Sequence, residues 1–295
     1  MTGSPAGRRA ARGVLVCAGL WLGAGCASAP VESLPRGEAR QALASGRSAY
    51  ERRQWGAAST AFGRAALIFA ALDESSAESA ALRDQGEALR RAGDAAGAAT
   101  AYQRALEIDQ RLGEEQAQAW ALGGLARCAA AQQQAALAVA SAERALALAA
   151  PGTPLAASLE NDLALYLLER GDVGDPGRAI ELLTQASASN EARRDALGLA
   201  TSELNLGRAE LAIGQGESAE AHLIRALEGF RGLQHPEGLA QTHELLARLS
   251  LARHEVEQAR FHQARARAGY EYLDDRAGLR RTEGLPLQEP PLASP

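Results

Sequence analysis

An all-α fold, a right-handed α-α superhelix of about six helix hairpins, is what this 295-residue sequence predicts. Three observations carry the expectation. Alanine fills 68 positions while only four Phe and five Tyr occur. Alanine is the strongest helix former, and the aromatic and β-branched residues that favour strands are sparse. A short phrase also recurs, as YQRALEI at 102–108, AERALAL at 142–148 and LIRALEG at 223–229. Stepping from Ala105 by forty residues, or forty-one once, then lands on alanine each time.

The anchors of that rhythm are Ala65, Ala105, Ala145, Ala186, Ala226 and Ala266, with one step of forty-one and four of forty. Seven residues before each stand Ala58, Ala98, Ala138, Ala179, Ala219 and Ala259. Residues seven apart lie two turns apart on one helix face, so each pair predicts a seam where helix backbones approach closely. Arg precedes five of the anchors: Arg64, Arg104, Arg144, Arg225 and Arg265. Nineteen residues before the anchors come Gly46, Gly86, Ala126, Gly207 and Ala247, while in the fourth unit Ala164 stands twenty-two back. The stretch GDVGDPGRA lengthens the turn there.

Each unit reads as two helices and a turn. In the second unit AALRDQGEALRRAG is the first helix, GDAAG the turn and AATAYQRALEIDQRLG the second helix. Gly and Asp are expected to supply the helix stop and the next cap. Helices this short bury too little alone, so stacked hairpins must share a continuous core.

With these residues the chain resembles the tetratricopeptide-repeat (TPR) family in its form of about forty residues per repeat. The small residue of each first helix, the alanine pair of each second helix and the large residue between that pair carry the likeness. The last position holds Phe62, Tyr102, Leu183 and Leu223, but Ala142 and Gln263 in the third and sixth units. Trp55 matches the family's frequent turn aromatic. The departures predict a thinly packed third repeat and a frayed sixth. The repeat domain is expected over residues 38–283, and DDRAGLRR at 274–281 echoes the start of a seventh unit.

Residues 1–25 read as an export signal. Arg8, Arg9 and Arg12 precede an uncharged run from Gly13 to Gly25, which is too short to span a bilayer and suits the apolar region of a signal peptide. The run closes on LGAGC, which resembles the bacterial lipoprotein signal, with Cys26 as the residue that receives lipid. An ordinary signal cleaved after Ala29 is the alternative. Residues 26–37 read as a tether and the proline-rich residues 284–295 as a disordered tail. Cys17 falls in the signal, so Cys128 is the single thiol of the mature body and no internal disulfide can form. Ala27 after the lipid cysteine points to an outer membrane facing the periplasm, as sorting in such lipoproteins implies.

All 31 basic residues are arginine, which excludes chemistry that needs a lysine, such as a P-loop or a Schiff base. The formal charge of −5 argues against nucleic acid and against docking on anionic lipid. GQGESA at 214–219 fits a dinucleotide fingerprint but lies between helices without a preceding strand. His243 and His254 begin HE dipeptides but lack a second His four residues on, which removes a zinc-protease reading. His222 and His262 lie forty apart at equivalent places, where neighbouring helices could bring them together on a metal; repeat copying and a solvated face explain them as well. No nucleophile has a partner base in sequence, so neither an enzyme nor a cofactor is expected.

The residue after each small residue of the first helix runs Arg47, Glu87, Arg127, Leu165, Arg208, Arg248. In the resembled family this place faces the concave groove. Arg47, Arg127, Arg208 and Arg248, with Arg83, Arg90 and Arg91 nearby, are therefore the candidate partner-binding residues. Arg forks pair bidentately with carboxylates, so an acidic or carboxylate-ended peptide is the expected occupant. The expected role is a lipid-anchored envelope scaffold that holds a protein or peptide. A cytoplasmic regulatory sensor, or an enzyme using the histidines of the last third, are the alternatives.

Overall fold

The computed structural model describes residues 34–285, and over these it contains helices and turns with no strand. Cys26, the signal, the first part of the tether and residues 286–295 lie outside the described residues. Six hairpins follow in order: α1 (Leu34–Glu51) with α2 (Trp55–Ala71), α3 (Ser75–Arg91) with α4 (Ala95–Leu112), and α5 (Glu115–Ala131) with α6 (Ala135–Leu148). Next come α7 (Pro154–Arg170) with α8 (Asp175–Ala192), α9 (Ala196–Ala212) with α10 (Gly216–Gly232), and α11 (Pro236–Ala252) with α12 (Val256–Tyr272). A short α13 (Arg276–Glu283) opens a seventh unit. Helix α1 begins at Leu34, so residues 34–37, expected as tether, are its first turn.

All twelve rhythmic alanines, from Ala58 and Ala65 to Ala259 and Ala266, are fully buried. The small residues nineteen back explain why. A Cβ on Gly207 would lie 2.6 Å from Leu223, and one on Gly46 would lie 2.6 Å from Phe62. The large residue of each second helix thus sits in a notch that only a small residue leaves open. Each helix packs on the next in sequence, and α3, α5, α7, α9 and α11 also touch one another in series. These odd helices form the inner row of the stack.

Turns recur about every twenty residues with a left-handed residue in each, as at Arg53, Gly93, Gln234 and Asp274, and the lengthened fourth-unit turn has two, Gly171 and Gly174. The following N–H then donates to the carbonyl five residues back, as from Gln54 to Ala49 at 2.9 Å and from His235 to Phe230 at 3.0 Å. This is the Schellman closure, which satisfies a carbonyl the helix end leaves open. Glycine was expected at these stops, yet Arg53, Asp73, Gln133, Arg194, Gln234, His254 and Asp274 adopt positive φ without it. The strain of an L-residue there is ~1–2 kcal/mol, which the packing on both sides overrides. Starts follow the expected chemistry more closely: Asp94, Asp195 and Asp275 each accept a backbone N–H of the helix they precede. In the lengthened fourth turn Arg170 grips Asp175 through two bonds, at 2.6 and 2.8 Å.

Two packing expectations are corrected. The third repeat is not thin, because Leu159 and Tyr102 reach in from the neighbouring units against Gly123 and Gly124. The sixth is not frayed: Tyr270 is fully buried near the end of α12, and Gln263 donates to the Thr282 carbonyl of α13 at 2.7 Å. Cys128 is buried among apolar neighbours, and burial pushes its thiol up to about 11, which makes it inert.

Candidate functional site

The inner row encloses a continuous groove of about 1040 Å³ that runs across α3, α5, α7, α9 and α11. Arg83, Arg90, Arg91, Arg127 and Arg208 line it, whereas Arg47 and Arg248, at the two ends of the expected column, lie outside its lining. Leu165, the apolar member of that column, also lines the groove. One further cleft of about 530 Å³ lies between α1 and α2, lined mainly by small residues and crossed by the exposed pair Arg64–Glu38. It gathers far fewer polar groups than the groove does.

The groove arginines are mostly spoken for by carboxylates of the chain itself. Arg83 of α3 pairs with the fully buried Asp109 of α4 at 2.7 Å. Arg90 and Arg91 both pair with Glu87, at 2.6 and 3.0 Å. Burial raises the Glu87 carboxyl, but the hydrogen bonds of Arg90 and Arg91 and the field of Arg127 outweigh it and hold the group at about 2. The Tyr102 and Tyr50 hydroxyls also donate to Glu87, each at 3.2 Å. Arg127 of α5 reaches Asp162 of α7 at 2.8 Å. Outside the groove Arg248 and Arg281 share Glu244, which also accepts from Tyr270.

Arg208 is different. Among the described residues it has neither a hydrogen bond nor an ion pair, although it lies in the field of Glu244. Burial presses its ionisation below the usual arginine range, with Arg281 and Arg248 adding repulsion. A half-buried charge without a direct counter-ion is the point in the groove where an incoming anion meets least competition.

Beside Arg208 the floor is built of amides. Asn205 donates to the Asn161 carbonyl oxygen at 3.0 Å, and Asn161 and Asn190 both donate to the Ser202 hydroxyl at 3.0 Å. This network ties α7, α8 and α9 together and fixes the Asn161 and Asn205 side chains at the groove surface. Apolar contact is offered by Trp120 and Leu197, each about half exposed. The sequence reading had singled out neither. Their signal is an exposed large apolar residue in the first helix of a unit, which composition alone does not separate from core.

His222 and His262 do not meet. His222 of α10 lies 2.8 Å from Glu203 of α9, and His262 of α12 lies 3.0 Å from His243 of α11. Among the described residues no group of three or more His, Cys, Asp or Glu is arranged to hold a metal. No helix of the described residues is long and apolar enough to cross a membrane.

No protein-family model matches the sequence, and no curated protein matches it. Solved structures do resemble the fold. BtubC (BKLC) from P. vanneervenii aligns with a TM-score of 0.59 at 18% identity, over 83% of this chain and 94% of that one. PilF of Pseudomonas aeruginosa aligns with a TM-score of 0.55 at 16% identity, over 84% of this chain and 98% of that one. A Rap protein complexed with competence and sporulation factor aligns with a TM-score of 0.61 at 15% identity, over 83% and 80%. At such identities the likeness is one of fold: this chain is an all-helical, TPR-like stack of hairpins.

Proposed function

We propose that this chain is a lipid-anchored envelope scaffold that holds a protein or peptide partner in its concave groove. The observation that carries the reading is Arg208, a half-buried guanidinium without an ion pair in a groove whose other arginines are already neutralised. An acidic side chain or a free carboxylate on an extended segment would complete it, while Trp120 and Leu197 take apolar side chains and Asn161 and Asn205 face the peptide backbone. The like-folded Rap protein is complexed with competence and sporulation factor, which supports partner binding as a use of this fold. The anchor rests on LGAGC and Cys26 in the sequence. Ala27 supports an outer-membrane position facing the periplasm.

The test is affinity capture from envelope extract, with wild-type protein and the Arg208→Glu, Trp120→Ala double variant as paired baits. A prey that binds wild type and is lost from the folded variant supports groove binding. Preys that bind both baits equally, or none at all, overturn it.

A further inference from the structure

Away from the groove, the last two complete hairpins carry titratable pairs at one repeated place. Glu203 and His222 stand nineteen residues apart, as do His243 and His262, and each pair joins the first helix of its hairpin to the second. The corresponding places hold Leu82 with Ala101 in the second hairpin, Leu122 with Ser141 in the third and Glu160 with Leu182 in the fourth. Where the second and third hairpins make a small and apolar contact, the sixth has two imidazoles facing each other.

Their geometry is specific. The two Nδ1 atoms are 3.0 Å apart, with ring centroids 5.2 Å apart and planes tilted by 33°. Both rings are half-buried, and the exposed Phe261 packs edge-on against each. We propose that His243 and His262 form a two-imidazole site for a divalent first-row transition-metal ion, with copper(II) bound most tightly. Two nitrogens 3.0 Å apart, each ~2.0–2.1 Å from an ion, subtend roughly 90–95° at it. That is the cis angle of a tetragonal site, the preference of copper(II) and nickel(II), whereas tetrahedral zinc would need the nitrogens roughly 3.4 Å apart. The order of divalent affinities at nitrogen sites also places copper first.

The ion takes the place of the proton the two Nδ1 atoms share. The ring that donates shifts its proton to Nε2, so both rings stay neutral and no proton is lost. Arg231 and Arg265 lie close enough to His243 to act on it electrostatically. The same two arginines repel a cation, and an anionic co-ligand such as hydroxide or a carboxylate offsets this. With no third ligand of these types among the described residues, the remaining positions are open to water or to such a group.

The experiment is a titration of the full detergent-solubilised, tag-free chain with copper(II), read by electron paramagnetic resonance and thermal melting. Wild type is expected to bind one copper per chain with splitting from two nitrogens, and copper should raise the melting temperature because it bridges α11 and α12. His243→Gln and His262→Gln should each weaken this copper tenfold or more and abolish the melting shift, and His222→Gln should do neither. Equal binding by wild type and both glutamine variants overturns the proposal. Should a variant fail to fold, the wild-type spectrum decides, because a copper signal with fewer than two nitrogens also overturns it.

Discussion

Arg127 of α5 and Asp162 of α7 form an ion pair of 2.8 Å that crosses from one hairpin to the next on the inner face of the stack. Both side chains keep a fifth to a quarter of their surface exposed, so the pair is neither a screened surface contact nor a sealed one. It changes the reading of the whole groove. Four arginines from different repeats suggest a positive strip, but Arg127 is answered by Asp162 and Arg248 by Glu244 of its own helix, while Arg47 lies outside the groove lining. Arg127 belongs to the scaffold, and Arg208 is the one left to face a ligand.

Asp162→Asn should therefore destabilise the fold by ~1.5–3 kcal/mol, the range for a hydrogen bond to a charged group. The double variant Arg127→Met, Asp162→Leu should recover much of that, because paired apolar replacement removes the stranded charge. Urea unfolding of the three proteins checks this. Equal stability of the single and double variants would mean that the pair is not coupled.

Ala219→Leu should cost about 1–3 kcal/mol, since it adds methylenes in a seam that is already closed. Ala219 is fully buried, and a Cβ on Gly207 across the seam would lie 3.1 Å from the Ala219 carbonyl oxygen. Thermal melting reads the effect directly. A variant that melts like wild type would place the seam elsewhere.

Glu87 sets an acid limit on stability. Its carboxyl titrates at about 2 in the fold against an ordinary 4.5, because Arg90, Arg91 and Arg127 outweigh its burial. In that interval the unfolded chain binds the proton and the folded chain does not, so stability rises with pH. The contribution is complete above 4.5 and fades as pH falls towards 2. Stability curves of wild type and Glu87→Gln should converge across this window, and parallel curves would show that Glu87 is not a source of the acid sensitivity.

Cys26→Ala should abolish lipid modification and release the protein from the membrane fraction. The described helices supply no membrane span, and the acidic chain has few means to hold an anionic surface. Mass spectrometry and fractionation read both effects. Unchanged mass, with processing at the same place, would identify an ordinary signal peptide.

The fold was legible because a period survives any uncertainty about single residues. Alanines at two places per forty residues had to be buried if the units stack, and all twelve are. The groove was half legible. Its arginines follow from one register position, but their partners do not, because Asp162 lies 35 residues from Arg127 and Asp109 lies 26 from Arg83. A search for opposite charges about one repeat apart would have found the first of these. The histidine pairs carried a shorter signal at nineteen residues, the distance between facing positions of one hairpin. The search for metal-binding spacing at three or four residues passes over it.

Binding in the groove should depend on Arg208 far more than on Arg127. A partner carboxylate on Arg208 meets a charge that no group of the described chain pairs directly, and a hydrogen bond of this kind is worth ~1.5–3 kcal/mol, or about tenfold to hundredfold in affinity. A carboxylate on Arg127 must instead compete with Asp162, which already occupies it. Arg208→Ala should thus weaken a captured partner by at least tenfold while the circular dichroism spectrum and melting temperature stay near wild type. Arg127→Ala should lower the melting temperature with a smaller loss of affinity. The wild-type affinity should fall as salt rises, and this dependence should be shallower in Arg208→Ala, because the charge that steers the ligand is gone. Titrations at low and high ionic strength separate the two arginines. Equal losses in both variants, or a salt dependence that survives Arg208→Ala unchanged, would return Arg208 to the scaffold with the rest.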